Sequence, residues 1–181
     1  MKTHLVTGAT GFVGKYLVNA FLEKGERVWI IVRPLNNLSA GERANDIFHD
    51  HLVRWPNTFR VVDGNIMVEG LGIKDSIIAE LKNHEVIFWH LAANLSFAAE
   101  NRADVQKTNY IGTVNVVKFA NKVAKRFMHM STAYVCGNAA SFKEDELYKG
   151  QKFRNHYEKS KFEAEKYVRD NCKLRYIIFR P

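Results

Sequence analysis

Tyr157 and Lys161 stand four residues apart in a segment of helical period. That spacing puts a phenol and an ammonium on one helix face, one turn apart. A tyrosine with a pKa of about 10 is a poor proton shuttle at neutral pH, and a neighbouring ammonium is expected to lower that pKa by favouring the phenolate. The same lysine is long enough to reach ribose hydroxyls. A Y-x-x-x-K pair is common by chance and alone reads as an exposed aromatic–cation pair, so its meaning depends on what accompanies it. Upstream, the apolar run ending at Met130 is followed by Ser131 and Thr132. A hydroxyl at the carboxyl end of a strand points into the crevice where open α/β sheets bind ligands. Thr132 is the candidate to bond a reacting oxygen as charge develops, with Ser131 as the alternative; either could instead satisfy local backbone. Asn109 falls in mid-helix, where asparagine is a poor helix former. It is a candidate to hold a water that relays protons to Lys161, or else a buried side chain bonded to backbone.

A nucleotide site is the second piece of chemistry. The first apolar run, His4-Leu5-Val6-Thr7, leads straight into Gly8-Ala9-Thr10-Gly11-Phe12-Val13-Gly14. In this G-x-x-G-x-x-G turn, Gly8 permits a sharp bend, Gly11 a close approach of backbone to pyrophosphate, and Gly14 close packing of helix on strand. The amides opening the helix, from Thr10 through Phe12 and Val13, then face the anion with the helix dipole behind them. The second apolar run ends at Arg33, about 20 residues on, where an acidic residue would bond the ribose 2′-hydroxyl of NAD. An arginine suits a 2′-phosphate, so NADP(H) is favoured over NAD(H). After the third run, Asp63 and Asn65 are candidates for the adenine edge, and Asp63-Gly64-Asn65 is equally good β-turn chemistry. After the fourth run, Leu91, Ala92 and Ala93 offer small residues against which ribose and phosphates could lie.

The elements that must hold these residues are legible as an alternation. Strand-like runs at His4–Thr7, Arg27–Val32, Phe59–Val62, Val86–Leu91, Arg126–Met130 and Arg175–Phe179 alternate with helical segments at Gly11–Lys24, from an N-cap at Ser39 through Leu52, and at Lys74–Lys82, Ala103–Lys125 and His156–Asn171. Runs without polar alternation are typical of parallel strands buried on both faces. The pattern predicts an α/β fold: a Rossmann-type doubly wound parallel sheet in three α/β/α layers, one domain over residues 1–181. Composition agrees, with 46% hydrophobic and 25% charged residues in 181, the balance of an ordinary globular protein. No apolar run approaches the ~20 residues of a membrane span. No leader pattern precedes the first strand, and only Cys136 and Cys172 occur, so a reducing, cytoplasmic setting is expected. The formal net charge of +8 raises the question of nucleic acid, but its lysines and arginines are dispersed and no recognition motif or basic arm accompanies them. His49 and His51 are two apart and splay around a helix, so no metal site is expected.

Taken together, Thr7 through Gly14, His90-Leu91-Ala92-Ala93, Asn109 with Gly112-Thr113, Ser131 to Gly137, Tyr157 with Lys161, and the closing Arg180-Pro181 resemble the extended short-chain dehydrogenase/reductase superfamily. The motifs span essentially the whole chain, in the family's order. The resemblance implies that Tyr157 is the acid/base, Lys161 its partner, Thr132 the substrate-orienting hydroxyl, Asn109 the relay residue, and Pro181 a contact to the nicotinamide half. His90 to Phe97, Ser131 to Val135 and the insert from Leu35 to Pro56 look most like the thioester-reductase and fatty-acyl-reductase (male-sterility-type) branch. That branch implies hydride transfer from NADPH to a small-molecule carbonyl or acyl thioester. NAD-dependent sugar-nucleotide epimerases and dehydratases share the catalytic set, and a non-catalytic dinucleotide-binding module would share only the glycine turn. Extended members usually continue past Arg-Pro into a substrate-binding region, so the resemblance implies that this sequence is the cofactor-binding part of a longer protein, or a truncated product, with the substrate-binding region expected to be absent. The resemblance also implies a possible homodimer through the helices near Val116, Val123 and Val168; packing on their own sheet is the alternative.

Overall fold

The β-branched and aromatic runs form six strands, β1 (Lys2–Thr7), β2 (Arg27–Val32), β3 (Phe59–Asp63), β4 (Glu85–His90), β5 (Arg126–Met130) and β6 (Arg175–Phe179), in a computed structural model that describes residues 2–181. Their order is β3-β2-β1-β4-β5-β6 and every neighbouring pair is parallel. Strand order reverses between β1 and β4, which places the ligand crevice beyond their carboxyl ends. Thr7 pairs there with Ile31 on one side and His90 on the other.

Helices α1 (Phe12–Glu23) and α2 (Ala40–Arg54) cover one face, where Val18, Leu22, Ala44 and Phe48 pack with Val6, Val28, Ile30 and Phe59. On the other face lie α3 (Asp75–Lys82), a short α4 (Arg102–Gln106), α5 (Gly112–Val123) and α6 (His156–Asn171). Leu81, Val116, Phe119 and Val168 pack there with Leu5, Trp29, Phe88 and Phe127. The layers are therefore α/β/α, as the alternation predicts. Ser39 begins α2 with a capping box: its hydroxyl accepts from Glu42 N at 3.2 Å and its own N–H donates to the Glu42 carboxylate at 2.7 Å.

Two expectations are corrected. The long helix from Ala103 is broken by a π-helical turn at Lys107–Ile111 between α4 and α5. Such bulges concentrate at functional sites, and this one carries Asn109. The valines considered for a dimer interface are spent on the chain's own sheet: Val116 and Val168 are fully buried and Val123 nearly so. An apolar helix stripe looks the same in sequence whichever surface it meets. No helix among the described residues is long and apolar enough to cross a membrane.

Candidate functional site

A cleft of about 470 Å³ opens at the carboxyl ends of the strands. It is lined by Gly8, Thr10, Gly11, Phe12, Val13, Gly14, Arg33, Leu91, Ala92, Ala93, Thr132, Tyr157, Lys161 and Pro181. One wall therefore gathers residues 7 to 181 of the chain, and the sequence candidates supply most of it. A second hollow, of about 510 Å³, is lined by Lys118, Lys122, Asn171 and Lys173 at the far ends of α5 and α6. None of the chemistry-bearing strand ends lines it.

The glycine turn is shaped by close approaches. Gly8 has a φ of +73°, and a Cβ there would stand 2.5 Å from Ala92 N. The Leu91 amide donates to Thr7 O at 3.1 Å, which holds the Leu91–Ala93 segment against the turn. A Cβ on Gly14 would stand 2.2 Å from Gly8 O and 2.7 Å from Ala9 Cα. We therefore expect Gly14→Ala to destabilise the fold by roughly 1–3 kcal/mol, since backbone has to shift to admit a methyl group. Urea denaturation of the two proteins checks this. Helix α1 starts at Gly11 with no side-chain cap and no acidic residue in its first turn. The amides of Phe12, Val13 and Gly14 thus keep donors for an external anion. A cradle that excludes side chains, closed by an uncapped helix, fits a dinucleotide's diphosphate.

At the adenosine end, Arg33 lies exposed just beyond β2. Arg43, from α2, also lines the cleft and donates to Arg33 O. Asp63 and Asn65 do not line it. Asn65 instead accepts from Met67 N at 3.0 Å, so the turn reading of that segment describes its contacts. Gly64, Ile66 and Met67 form that part of the wall.

At the other end, Tyr157 is buried beside Phe97, ring centroids 5.2 Å apart and edge-to-face. Burial raises the phenol's pKa above its ordinary value; the Thr132 hydroxyl pulls it down and Tyr134 pushes it up. This corrects the expected lowering by Lys161. The ammonium is drawn to the end of β5, where Nζ donates to Met130 O at 2.6 Å. Burial lowers the pKa of Lys161 to about 8, opposed by the charge of Glu165. Ser131 is likewise engaged, donating to Glu165 at 2.7 Å. Thr132 accepts from Tyr134 N at 3.3 Å and is the strand-end hydroxyl that faces the phenol.

Asn109 does not line the cleft. Its side-chain oxygen accepts from Asn94 N at 2.8 Å, and its amide donates to Asn94 O and to Ser160 Oγ, both at 3.0 Å. The π-helical turn thus clamps the loop after β4 to α6, the helix of Tyr157. A buried chain runs beneath it. The Thr113 hydroxyl donates to Asn109 O at 2.6 Å and lies 2.9 Å from His90 Nε2, while His90 Nδ1 lies 2.8 Å from Thr7 Oγ1. Because Thr113 spends its proton on Asn109, His90 donates from Nε2 and accepts from Thr7 at Nδ1.

The sequence profile of an NAD-binding family described as male sterility protein matches residues 6–181. The chain belongs to that family. Probable fatty acyl-CoA reductase 5 of Arabidopsis thaliana is 32% identical to it over 176 residues, which cover 85% of this chain and 35% of that protein. Fatty acyl-CoA reductase 8 of the same plant is 34% identical over 158 residues, 75% of this chain and 32% of that one. Among solved structures, the terminal R domain from the myxalamid PKS-NRPS biosynthetic pathway superposes with a TM-score of 0.79 at 26% identity, covering all of this chain and 48% of its own. The chain spans about a third of the length of these curated relatives. These matches place it in the fatty-acyl-reductase branch of the extended short-chain dehydrogenase/reductases.

In this male-sterility-type domain, sequence reading gave no role to Arg43, Ser160 or Glu165, and named Thr113 only within the family motif. Arg43 and Ser160 are tied to the site by partners 10 and 51 residues away, which no local pattern announces. Glu165 does carry a local signal: it continues the spacing of Tyr157 and Lys161 by another four residues.

Proposed function

We propose that the chain is the cofactor-binding and catalytic part of a reductase that uses NADPH to reduce an acyl thioester or the derived aldehyde. The observation that carries this reading is that Thr132, Tyr157 and Lys161 line the same cleft as the glycine turn and Arg33. The diphosphate would be held by the first-turn amides of α1, and the 2′-phosphate by Arg33 with Arg43. When bound, the reduced nicotinamide supplies hydride to the carbonyl carbon. The residues of the chain handle the oxygen. Buried Tyr157 stays protonated at neutral pH, which suits a proton donor. Thr132 offers a hydroxyl to the same oxygen, and Lys161, held on Met130 O, places its ammonium in the same cleft. Leu95, Phe97 and Tyr134 are exposed aromatic or aliphatic side chains beside Tyr157 or the strand end next to it. They supply apolar surface for an acyl chain, in keeping with relatives named as fatty acyl-CoA reductases.

Fluorescence titration tests the cofactor assignment. NADPH should bind more tightly than NADH by roughly 10–100-fold, the worth of charge-assisted contacts to one phosphate. Arg33→Ala should remove most of that preference without changing NADH affinity. Equal affinities in the unaltered protein would overturn the NADP assignment. Oxidation of NADPH on adding a long-chain acyl-CoA, followed by absorbance, tests the reaction itself.

A further inference from the structure

We propose that Glu165 is a positioning residue for the reactive group, holding the ends of β5 and β6 at a fixed height against α6. The inference rests on the reductase reading above for its consequence, but its geometry is independent of it.

Glu165 is completely buried. It accepts from Ser131 Oγ at 2.7 Å, from Arg180 Nε and Nη2 at 3.1 and 2.6 Å, and from Arg169 Nε at 3.1 Å. Burying a carboxylate is costly, and a well-packed apolar group often stabilises a fold as well or better. The position of the cluster says what such a cost accomplishes. Ser131 immediately precedes Thr132, and Arg180 immediately precedes Pro181. The backbone joins the same two ends, with Ser131 N donating to Phe179 O at 2.7 Å and Ala133 N to Pro181 O at 3.0 Å.

Three turns of α6 therefore meet the short stretch at the end of β5, though not in sequence order. Lys161 takes Met130 O, Glu165 takes Ser131 Oγ, and Tyr157 faces Thr132. Three helix residues at i, i+4 and i+8 thus converge on the last residue of β5 and the two that follow it. A shift of the strand end along the helix would move Thr132 relative to the phenol, and the side chains of Lys161 and Glu165 tie that end to α6 by hydrogen bonds. Glu165 also shapes the charge beneath the cleft. The groups facing Lys161 from β4 and β5 are His90 and His129, both kept neutral by burial and by Lys161 itself. On α6 its neighbours are Tyr157, protonated, and Glu165, the opposing negative charge.

The test uses Glu165→Gln, which keeps the shape and removes the charge, and Ser131→Ala, which removes one bond to the carboxylate at smaller cost to folding. In the free protein, Lys161 side-chain NMR should titrate at lower pH in E165Q, by about one unit. Under reductase assay, kcat should fall by at least about 10-fold in E165Q, as for a displacement of a fraction of an ångström, with KM for NADPH little changed. S131A should show a smaller fall in kcat and no shift of Lys161. Lower melting temperatures with kcat unchanged would mean an ordinary structural ion cluster and overturn the proposal, as would an unmoved Lys161 titration. If E165Q fails to fold, unchanged kcat in S131A overturns it. If the unaltered protein shows no reduction at all, the reductase reading fails on its own, and the Lys161 titration still decides whether Glu165 governs this site.

Discussion

Tyr157→Phe should lower turnover by roughly 10²–10⁴-fold, the usual worth of a positioned proton donor. The substitution removes one oxygen from a buried ring and leaves its packing against Phe97 intact, so the melting temperature should hardly move. NADPH affinity should change far less than turnover, because in the proposed complex the glycine turn and the Arg33–Arg43 end would carry most of the contacts. Single-turnover oxidation of NADPH with an acyl-CoA or a long-chain aldehyde separates the two effects. The sign with pH is fixed by the direction of the donor's shift. A phenol must be protonated to give its proton, and burial raises its pKa. The proton-donating step should therefore persist through neutral pH and fail on the alkaline side, with the deprotonation of Lys161 at about 8 acting first. Unchanged turnover in the phenylalanine variant would remove Tyr157 from the chemistry and return the site to simple dinucleotide binding.

What the sequence reveals of this site follows from how locally each feature is determined. The strands are visible because a parallel strand buried on both faces leaves an unbroken apolar run, as at Val28–Val32. The glycine turn is visible because steric demands, a positive φ at Gly8 and the close approaches of Gly8 and Gly14, exclude other residues. Tyr157, Lys161 and Thr132 are visible through a helix period and a strand end. The rest depends on partners distant in sequence. Nothing near Lys161 announces that its ammonium will bond Met130 O, so the expected depression of the Tyr157 pKa gives way to elevation by burial. Asn109 looks like a misfit in a helix, and only the π-helical turn shows that its amide is spent on Asn94 and Ser160. At Asp63–Asn65 two readings compete over the same residues, and the local turn bond to Met67 is the one the structure contains. Glu165 is a different case, because a charged residue on an otherwise buried helix face was open to inspection. The spacing of Tyr157 and Lys161, extended by one step, finds it.

Acidification should destabilise the fold steeply between pH 6.5 and about 4, and the cause is buried histidine. His90 is shifted to a pKa of about 3 by burial and by the charge of Lys161. His129 is lowered well below the ordinary value by the same causes, with His90 adding to them. His4 is lowered to about 4, chiefly by burial, while Glu26 opposes. Each ring is neutral in the folded protein and charged in the unfolded chain once pH falls below about 6.5. The unfolded state then binds more protons, so stability is complete above that pH and declines as pH drops towards the folded-state values. His90 and His129 together give a slope of roughly 3 kcal/mol per pH unit, and His4, on the central strand β1, adds to it until pH nears its folded-state value. Against a total stability of about 5–15 kcal/mol, that slope removes much or all of the stability within two or three pH units. Urea midpoints measured from pH 7.5 to 4.5 give the slope directly. His129→Phe isolates one contribution, since neither ring nitrogen of His129 has a hydrogen-bond partner to abandon and the ring already stacks on Phe127. That variant should reduce the slope by about 1.4 kcal/mol per pH unit without loss of stability at pH 7.5. His90→Phe should be costly even there, because it leaves Thr7 and Thr113 without their shared partner. A stability that stays level from pH 7 to 5 would mean that these rings are hydrated in the folded state and that the layer beneath the cleft is not the dry support on which Lys161 and Tyr157 depend.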